Sequence, residues 1–224
     1  MRNKTYLKKK ILITAGPTYE AIDPVRFIGN HSTGKMGYAI AMEAAIQGAE
    51  VTLISGPTQL HINHPLITRI DVVSAQEMFE ASMLHFPNCD AAILSAAVAD
   101  FTPKIVADKK IKEKQSLTIE LQPTPDIAQH IGAIKQPHQV VCGFALETHN
   151  AIEHAKAKLI KKNFDCIILN SLTDKGAGFG HDTNKISIID TSGNCTHFEL
   201  KKKTEVAKDI ILTLATLLAQ KHSI

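Results

Sequence analysis

ILITAGPTYEAIDPVRFIGNHSTGKMGYAIAMEAAIQGAEVTLIS, residues 11–55, carries an apolar run, a turn-rich segment, a helical pattern and a second apolar run in sequence. The runs at 11–14 and 51–55 read as strands, the second closed by Gly56 and Pro57, and 35–47 between them reads as a helix. That is a βαβ opening, which calls for parallel strands joined by a crossover helix. Within it, residues 23–37, DPVRFIGNHSTGKMG, bring together two cationic side chains, an Asn, small hydroxyls and three glycines. The combination suits an anion. From Gly29 to Lys35 the glycine spacing and the lysine match a phosphate-binding loop, but Met36 stands where that loop has the Ser or Thr that ligates magnesium. The match is therefore set aside. Backbone N–H groups at the helix start can still hold phosphate, because they lack partners and the helix dipole favours negative charge there.

The alternation of strand and helix continues outward from this segment. A strand at 69–73 precedes Ser74 and Glu77, a capping box for a helix through 84, and 91–94 follows as a buried strand. A lysine-rich polar loop over 100–116 leads to a strand at 117–121 with one wet face, and Pro125 opens a helix to 134. The runs at 140–144 and 166–169 are apolar throughout, as parallel strands covered on both faces are. Between them 150–162 is helical, with Ala151, Ile152, Ala155 and Leu159 on the packed side. Ser192-Gly193-Asn194 marks a turn between 186–190 and 196–200, an antiparallel hairpin at the sheet edge. Thr204 caps a last helix in which Val206, Ile210, Ile211, Leu214, Leu217 and Leu218 recur at helical spacing. The expected fold is α/β: a doubly wound, mostly parallel Rossmann-like sheet with an antiparallel hairpin near the C-terminus. One domain spans 1–224, with ligands beyond the carboxyl ends of the strands.

Composition narrows the function classes. The 224 residues, 44% of them hydrophobic, can bury the core of one large domain. The net charge of +3 comes from lysines scattered over many segments, and with no Trp and 5% aromatic residues there are no stacking platforms for nucleic acid. Small anionic ligands explain the lysines better. Cys89, Cys142, Cys166 and Cys195 lie far apart, two of them inside apolar runs, which points to a reduced, cytoplasmic protein. The basic start MRNKTYLKKK meets an apolar run that stops at Thr14, too short for a signal peptide. No apolar stretch nears the roughly 20 residues that cross a bilayer.

Several positions admit two readings. Gly16-Pro17 at the end of the first strand is not G-x-G-x-x-G, and Pro17 offers no N–H to a pyrophosphate, so an NAD site is not expected. The small residues at 95–99 allow either close packing or close approach of a ligand to the backbone. Asp100 after them can bind a ligand or cap a helix. Lys104, Lys109, Lys110, Lys112 and Lys114 form either a solvated loop or a source of catalytic cations. Lys158 and Lys162 suit a helix C-terminus, yet like charges four residues apart repel unless an anion sits between them. No His/Cys/Asp/Glu set has zinc spacing, and Gly-x-Ser-x-Gly is absent.

Seven blocks in one order, ILITAGPTYEAIDPVRFIGNHSTGKMG, GAEVTLISGPT, AAILSAAVADF, KKIK, TPDI, GFALET and KAKLIKKNFD, resemble the phosphopantothenate–cysteine ligase family over about residues 10–215. The resemblance implies a ligase that joins 4'-phosphopantothenate to L-cysteine in coenzyme A synthesis through an acyl-nucleotidyl intermediate, with release of pyrophosphate. It implies CTP, or ATP as in eukaryotic members, together with Mg²⁺. By similarity, Lys110, Lys158 and Lys162 clamp the phosphates, and Asp100, Pro125, Asp126, Ile127, Ala128 and Phe144 complete the nucleotide pocket. Asn30 contacts the phosphopantothenate moiety and supports turnover of the intermediate, with Lys110 as its catalytic companion. Ala96 and Ala97 lay their backbone against the same substrate, and Arg26 reaches the substrate phosphate of a neighbouring subunit, which implies a homodimer. Lys35 has the weaker claim to a phosphate, and Lys112 is the fallback for Lys110. Thr124 and Gly29 replace a common Asn and Ser of the family. The decarboxylase that many bacteria fuse ahead of this domain is expected as a separate protein, since few residues precede Ile11. The rival reading is a non-catalytic Rossmann-like nucleotide-binding protein.

Overall fold

Ile11, Ile13 and Ala15 face one side of a central strand and Leu12 the other, and all four are fully buried. A strand buried on both faces needs a layer of helices on each side, and the chain supplies them. The computed structural model describes residues 8–112, 116–147, 150–171 and 180–221. In chain order the elements begin with β1 (Lys10–Ala15), β2 (Tyr19–Ala21), β3 (Phe27–Gly29), α1 (Lys35–Ile46), β4 (Glu50–Ser55), β5 (Ile67–Asp71) and α2 (Ala75–His85). Next come β6 (Ala91–Leu94), β7 (Phe101–Pro103), β8 (Leu121–Pro123), α3 (Ile127–Ile134), β9 (Val140–Glu147) and α4 (Ala151–Lys161). The described chain ends with β10 (Cys166–Ser171), β11 (Thr183–Asn184), β12 (Ile186–Asp190), β13 (Cys195–His197), β14 (Lys201–Lys202) and α5 (Lys203–Lys221).

Eight strands form one sheet in the order β13-β12-β10-β9-β6-β1-β4-β5. The six from β10 to β5 are parallel, and β12 and β13 run antiparallel at the edge, as the turn at Gly193 foretold. Outward from β1 the chain winds first to β4 and β5, then crosses back to β6, β9 and β10, the doubly wound order of Rossmann-like folds. Helices α1 and α5 cover one face through Tyr38, Ile40, Ala41, Val206, Ile210 and Leu214. Helices α2, α3 and α4 cover the other through Met78, Ile127, Ile131, Ala155 and Leu159. Asp165 ties this second layer to α5: its carboxylate accepts from Lys135 at 3.0 Å and from the Val141 N–H at 2.8 Å, and pairs with Lys221. Cys142 and Cys166 lie opposite each other on β9 and β10, buried and free, with sulfurs 3.1 Å apart. Among the described residues, no helix is long and apolar enough to cross a membrane.

Four local expectations change. The strand expected at 117–121 is irregular up to Glu120, and Leu121–Pro123 pairs instead with β7 in a two-stranded arm. Leu117 and Leu121 are exposed there, so no core face holds 117–120 in a strand. Pro125 stands before the helix, which Asp126 caps by accepting the Gln129 N–H at 2.9 Å. Thr204 lies inside α5, and Glu205 reaches back to the Lys202 N–H instead. Ile152 is exposed because the buried stripe of α4 runs through Ala155 and Leu159. Lys114 falls outside the described residues.

Close approaches bring the functional ends together. A Cβ on Gly37 would stand 2.5 Å from Ala15 Cβ and 2.7 Å from Ser95 Oγ, so glycine lets the first turn of α1 rest directly on the strand ends. Gly132 of α3 does the same for α4, since a Cβ there would meet the Lys162 carbonyl oxygen at 1.9 Å.

Candidate functional site

Beyond the carboxyl ends of β1 and β6 the two chains continue side by side. Ala97 N–H donates to the Gly16 carbonyl at 2.9 Å, and Ala99 N–H donates to Thr18 Oγ1 at 2.9 Å. This pairing occupies one side of the small-residue run at 95–99, while Ala96, Ala97 and Val98 face a cavity on the other. Close packing thus fills one side of the run and leaves the other open to a cavity.

Two adjoining cavities open here, at the place where open α/β sheets bind ligands. The first, about 520 Å³, is lined by the loop into α3 (Thr124, Pro125, Asp126), by Ile127 and Ala128, by Phe144 and Phe164, and by Lys158 and Lys162. The second, about 390 Å³, is lined by Asn30, the start of α1, Asn170, Asn184 and Lys203. Ala96, Val98, Asp100, Phe144 and Lys158 border both. Every nucleotide-pocket residue named from the sequence except Lys110 lies in the first cavity or on the shared wall.

The charges are arranged around that wall. Lys158 donates to the Phe144 carbonyl at 2.9 Å, and Lys162 pairs with Asp126 and reaches Gln129 Oε1 at 3.2 Å. Burial pushes the Asp126 carboxyl up, but the hydrogen bond from Lys162, the Gln129 N–H and the charges of Lys162 and Lys158 outweigh it, leaving a net depression. Thus Asp126 holds its negative charge against Lys162 and within the field of Lys158. Asp100 directly precedes β7 and so caps no helix; its backbone carbonyl accepts from the Thr124 N–H at 3.0 Å, and the residue borders both cavities. Thr124, where the family commonly has Asn, uses its hydroxyl on the Ala99 carbonyl at 2.6 Å.

Asn30 donates through Nδ2 to the carbonyls of Ala97 at 3.0 Å and Val98 at 3.3 Å. Its amide is thereby oriented on the run that lines the second cavity. Helix α1 starts at an αL Gly34 with no side-chain cap, and its first residues, Lys35, Met36 and Gly37, line the same cavity.

Arg26 and Lys110 are not brought to either cavity. Arg26 is bound to Asp23 through Nε at 3.0 Å and Nη2 at 2.5 Å, and donates to the Ile111 carbonyl at 3.0 Å. Lys110, exposed, sits on a strap held at Ala107 by the Ile22 carbonyl and at Ile111 by Asp23 Oδ2. Asp23 was not singled out from the sequence. Its reach to Arg26 is local, but its bond to Ile111 joins residues 88 apart, a link that no periodicity discloses. Lys203 and Asn184 were missed as cavity residues for the same reason.

The profile of the DNA/pantothenate metabolism flavoprotein C-terminal domain matches residues 6–218. A curated relative from an unknown prokaryotic organism, cysteine/cysteine sulfinic acid decarboxylase, is 56% identical over 210 residues, covering 93% of this chain and 58% of that protein. The coenzyme A biosynthesis bifunctional protein CoaBC of Bacillus subtilis (strain 168) is 46% identical over 214 residues, covering 95% of this chain and 52% of that protein. The chain thus spans little more than half the length of these relatives. The crystal structure of the C-terminal domain of a CoaBC protein superposes with a TM-score of 0.83 at 42% identity, covering 97% of this chain and 99% of that one.

The Asp23 anchor yields a prediction. The Arg26 guanidinium, with the N–H groups of Val25, Ile111 and Arg26, outweighs burial and holds the Asp23 carboxyl well below the usual 3.8. Its contribution is therefore complete above that value and is lost only as the pH falls below it toward the depressed one. Asp23→Asn keeps an acceptor but loses the ion pair, so amide exchange at Ile111 should quicken about tenfold or more while β1 amides stay unchanged. Unaltered exchange at Ile111 would show that another contact holds the strap.

Proposed function

The chain belongs to the family of the DNA/pantothenate metabolism flavoprotein C-terminal domain, and from that premise we propose that it is a phosphopantothenate–cysteine ligase of coenzyme A biosynthesis. The observation that carries this reading is the pair of adjoining cavities with Lys158 on their shared wall. One suits a nucleotide: Phe144, Phe164 and Ile127 offer apolar surface, and Lys158 and Lys162 offer cations for phosphates. The other suits phosphopantothenate, with Asn30 and the backbone of Ala96 and Ala97 along it.

In the first step a carboxylate oxygen of phosphopantothenate bonds to the α-phosphorus of the nucleotide. The bond from that phosphorus to its bridging oxygen breaks, and the electron pair leaves on pyrophosphate. Lys158 and Lys162 stabilise the charge that gathers on the phosphoryl oxygens, with Asp126 yielding Lys162 to the ligand. In the second step the amine of L-cysteine bonds to the acyl carbon, the acyl–oxygen bond breaks, nucleoside monophosphate departs and the amine loses a proton. The Asn30 amide, held through Nδ2 by the Ala97 and Val98 carbonyls, presents its Oδ1 as an acceptor to the intermediate.

Among the described residues no cluster of three His, Cys, Asp or Glu could hold a metal. That fits magnesium, which is held by one or two carboxylates plus substrate phosphates, and Asp100 on the shared wall is the carboxylate at hand. CTP is the proposed nucleotide, following the bacterial members, with ATP the alternative. The four free cysteines, two of them adjacent in space, support a place in the reducing cytoplasm. A decarboxylase acting on the product is proposed as the next step. The decarboxylase name of the 56% relative describes that whole protein and is not carried over to this chain.

A homodimer with shared sites is supported by the arm of β2, β3, β7 and β8. Phe27, Phe101, Ile105 and Val106 are exposed on it and the adjoining strap, more apolar surface than a lone arm needs in water. Arg26 and Lys110 stand at its foot, outside their own chain's cavities, where they would serve a neighbouring copy. Sedimentation equilibrium should show a dimer at micromolar concentration. A monomer would remove both residues from the reaction.

The direct test is pyrophosphate release from CTP, Mg²⁺ and 4'-phosphopantothenate, with and without L-cysteine. Substrate-dependent release that becomes catalytic on adding cysteine is expected. Release with ATP alone would overturn the nucleotide assignment, and silence with both would overturn the ligase. Asn30→Asp removes the donor that faces the Ala97 and Val98 carbonyls, so product formation should fall about 10²-fold or more, and pyrophosphate release by less. Equal loss of both would refute the role given to Asn30.

A further inference from the structure

The hairpin that ends at Asn30 is too short to hold itself. Strands β2 and β3 have three residues each, and an isolated two-stranded hairpin is at best marginally stable in water. Its open end clasps one carbonyl. Tyr19 pairs with Gly29, so Thr18 and Asn30 stand opposite each other, and the Ala97 oxygen accepts from the Thr18 N–H at 3.3 Å and from Asn30 Nδ2 at 3.0 Å. One rung further in, Glu20 pairs with Ile28, and its side chain is 3% exposed and lines neither cavity. Its Oε1 accepts the Ala75 N–H at 2.8 Å in the first turn of α2, 55 residues along the chain, and beside it the Tyr19 N–H donates to the Val73 carbonyl at 2.8 Å. The helix is capped without this carboxylate. Ser74 and Glu77 already close a capping box there, with the Glu77 N–H on Ser74 Oγ at 3.2 Å and the Glu77 carboxylate on the Ser74 N–H at 3.3 Å. A carboxylate is costly to bury unless it is hydrogen-bonded, and α2 offers it an N–H and the positive end of the helix dipole. The bond therefore serves the hairpin, which α2 holds by way of Glu20.

We propose that Glu20 is a positioning residue for the reaction: it fixes the β2–β3 hairpin on α2 and, through the hairpin, sets the place of the Asn30 amide. The proposal rests on the ligase reading. Tyr19 and Phe27 stack with ring centroids 3.8 Å apart, and a Cβ at Gly29 would stand 2.7 Å from Tyr19 Cδ1, so the hairpin is packed closely enough to move as one piece. Removing the Glu20 carboxylate strands the Ala75 N–H and leaves the backbone bonds of Thr18 and Tyr19 to hold the inner rung. The Asn30 side chain then loses its fixed approach to the Ala97 and Val98 carbonyls, and its Oδ1 no longer meets the intermediate at one place. A misplacement of about 1 Å can cost on the order of 10²-fold in rate. Because Glu20 lines neither cavity, its effect passes through Asn30.

The test compares Glu20→Ala, which removes the acceptor, with Glu20→Gln, which keeps one for the Ala75 N–H. By NMR, the two side-chain amide proton signals of Asn30, identified by their loss in Asn30→Asp, should shift toward those of a free Asn in Glu20→Ala and stay in place in Glu20→Gln. In the ligase assay Glu20→Ala should lower product formation about tenfold or more and pyrophosphate release by less, with Glu20→Gln restoring most of the loss. Added to Asn30→Asp, Glu20→Ala should lower product formation by less than about a further twofold, because the two residues act as one unit. If Glu20→Ala fails to fold, Glu20→Asp, which withdraws the carboxylate by one methylene, carries the same comparison. Unmoved Asn30 signals in Glu20→Ala overturn the proposal. So do equal losses in both half-reactions, or a full tenfold loss on top of Asn30→Asp, either of which would make Glu20 a support of the fold at large. The NMR comparison needs no turnover. A protein silent in the ligase assay whose Asn30 signals still depend on Glu20 would therefore count against the ligase reading and not against the brace.

Discussion

Everything functional in this chain depends on β1 lying between two parallel neighbours whose crossovers leave it on opposite faces. From β1 the chain passes through α1 to β4 on one side, and later through α2 to β6 on the other. Backbone bonding joins β1 to both along its length, while α1 and α2 diverge and open a crevice beyond the carboxyl ends. Small residues then decide how close the walls stand. Gly37 sets α1 on Ala15 and Ser95, Gly132 sets α3 on the end of α4, and the run at 95–99 keeps its backbone open to the cavity. The cavities are thus a product of topology and of the absence of side-chain bulk at a few positions.

Charge is the second organising constraint. Lysines at the ends of the cavities would repel one another in an empty site, and the structure meets this with one acidic partner at each end. Asp126 stands by Lys158 and Lys162, and Asp182 stands by Lys35. Both carboxyls are held below their ordinary range by these lysines, so both remain charged across physiological pH. Each can be displaced by a ligand phosphate without leaving a buried charge behind, because Asp126 is only partly buried and Asp182 is exposed. Asp23 follows another logic. Its fully buried side chain is committed to Arg26 and Ile111, and it serves to hold the strap.

Most of the fold was legible because its physics is local or periodic. The central parallel strands, covered on both faces, must be apolar throughout, and 140–144 and 166–169 are; the capping box at Ser74 and Glu77 forms as its spacing demands. Boundaries failed where a segment has no core to face, as at 117–120, or where a cap came from an unexpected neighbour, as Glu205 did for Thr204. Of the site, the first cavity was legible through the family resemblance, residue by residue. The second was legible at Asn30, at the small run and at the start of α1 with Lys35. Asn184 lies in β11 and Lys203 directly follows β14, strands of two residues each that leave no pattern in the sequence. Lys110 is a different case: the family resemblance marked it for catalysis, and its own chain carries it on an exposed strap outside both cavities, where a neighbouring copy is proposed to meet it.

The central claim is that the cavity at the carboxyl ends, with Lys158 and Lys162, is where the nucleotide binds. A third cavity of about 440 Å³ lies at the amino ends of β1 and β4, lined by Lys10, Glu50 and His85, and serves as the internal control. Amide hydrogen exchange with and without CTP and Mg²⁺ tests the claim directly. Slower exchange at Gln129 and through the first turn of α3, with no change around Glu50 and His85, is the predicted result. Protection at the amino ends instead, or none at α3, would contradict it.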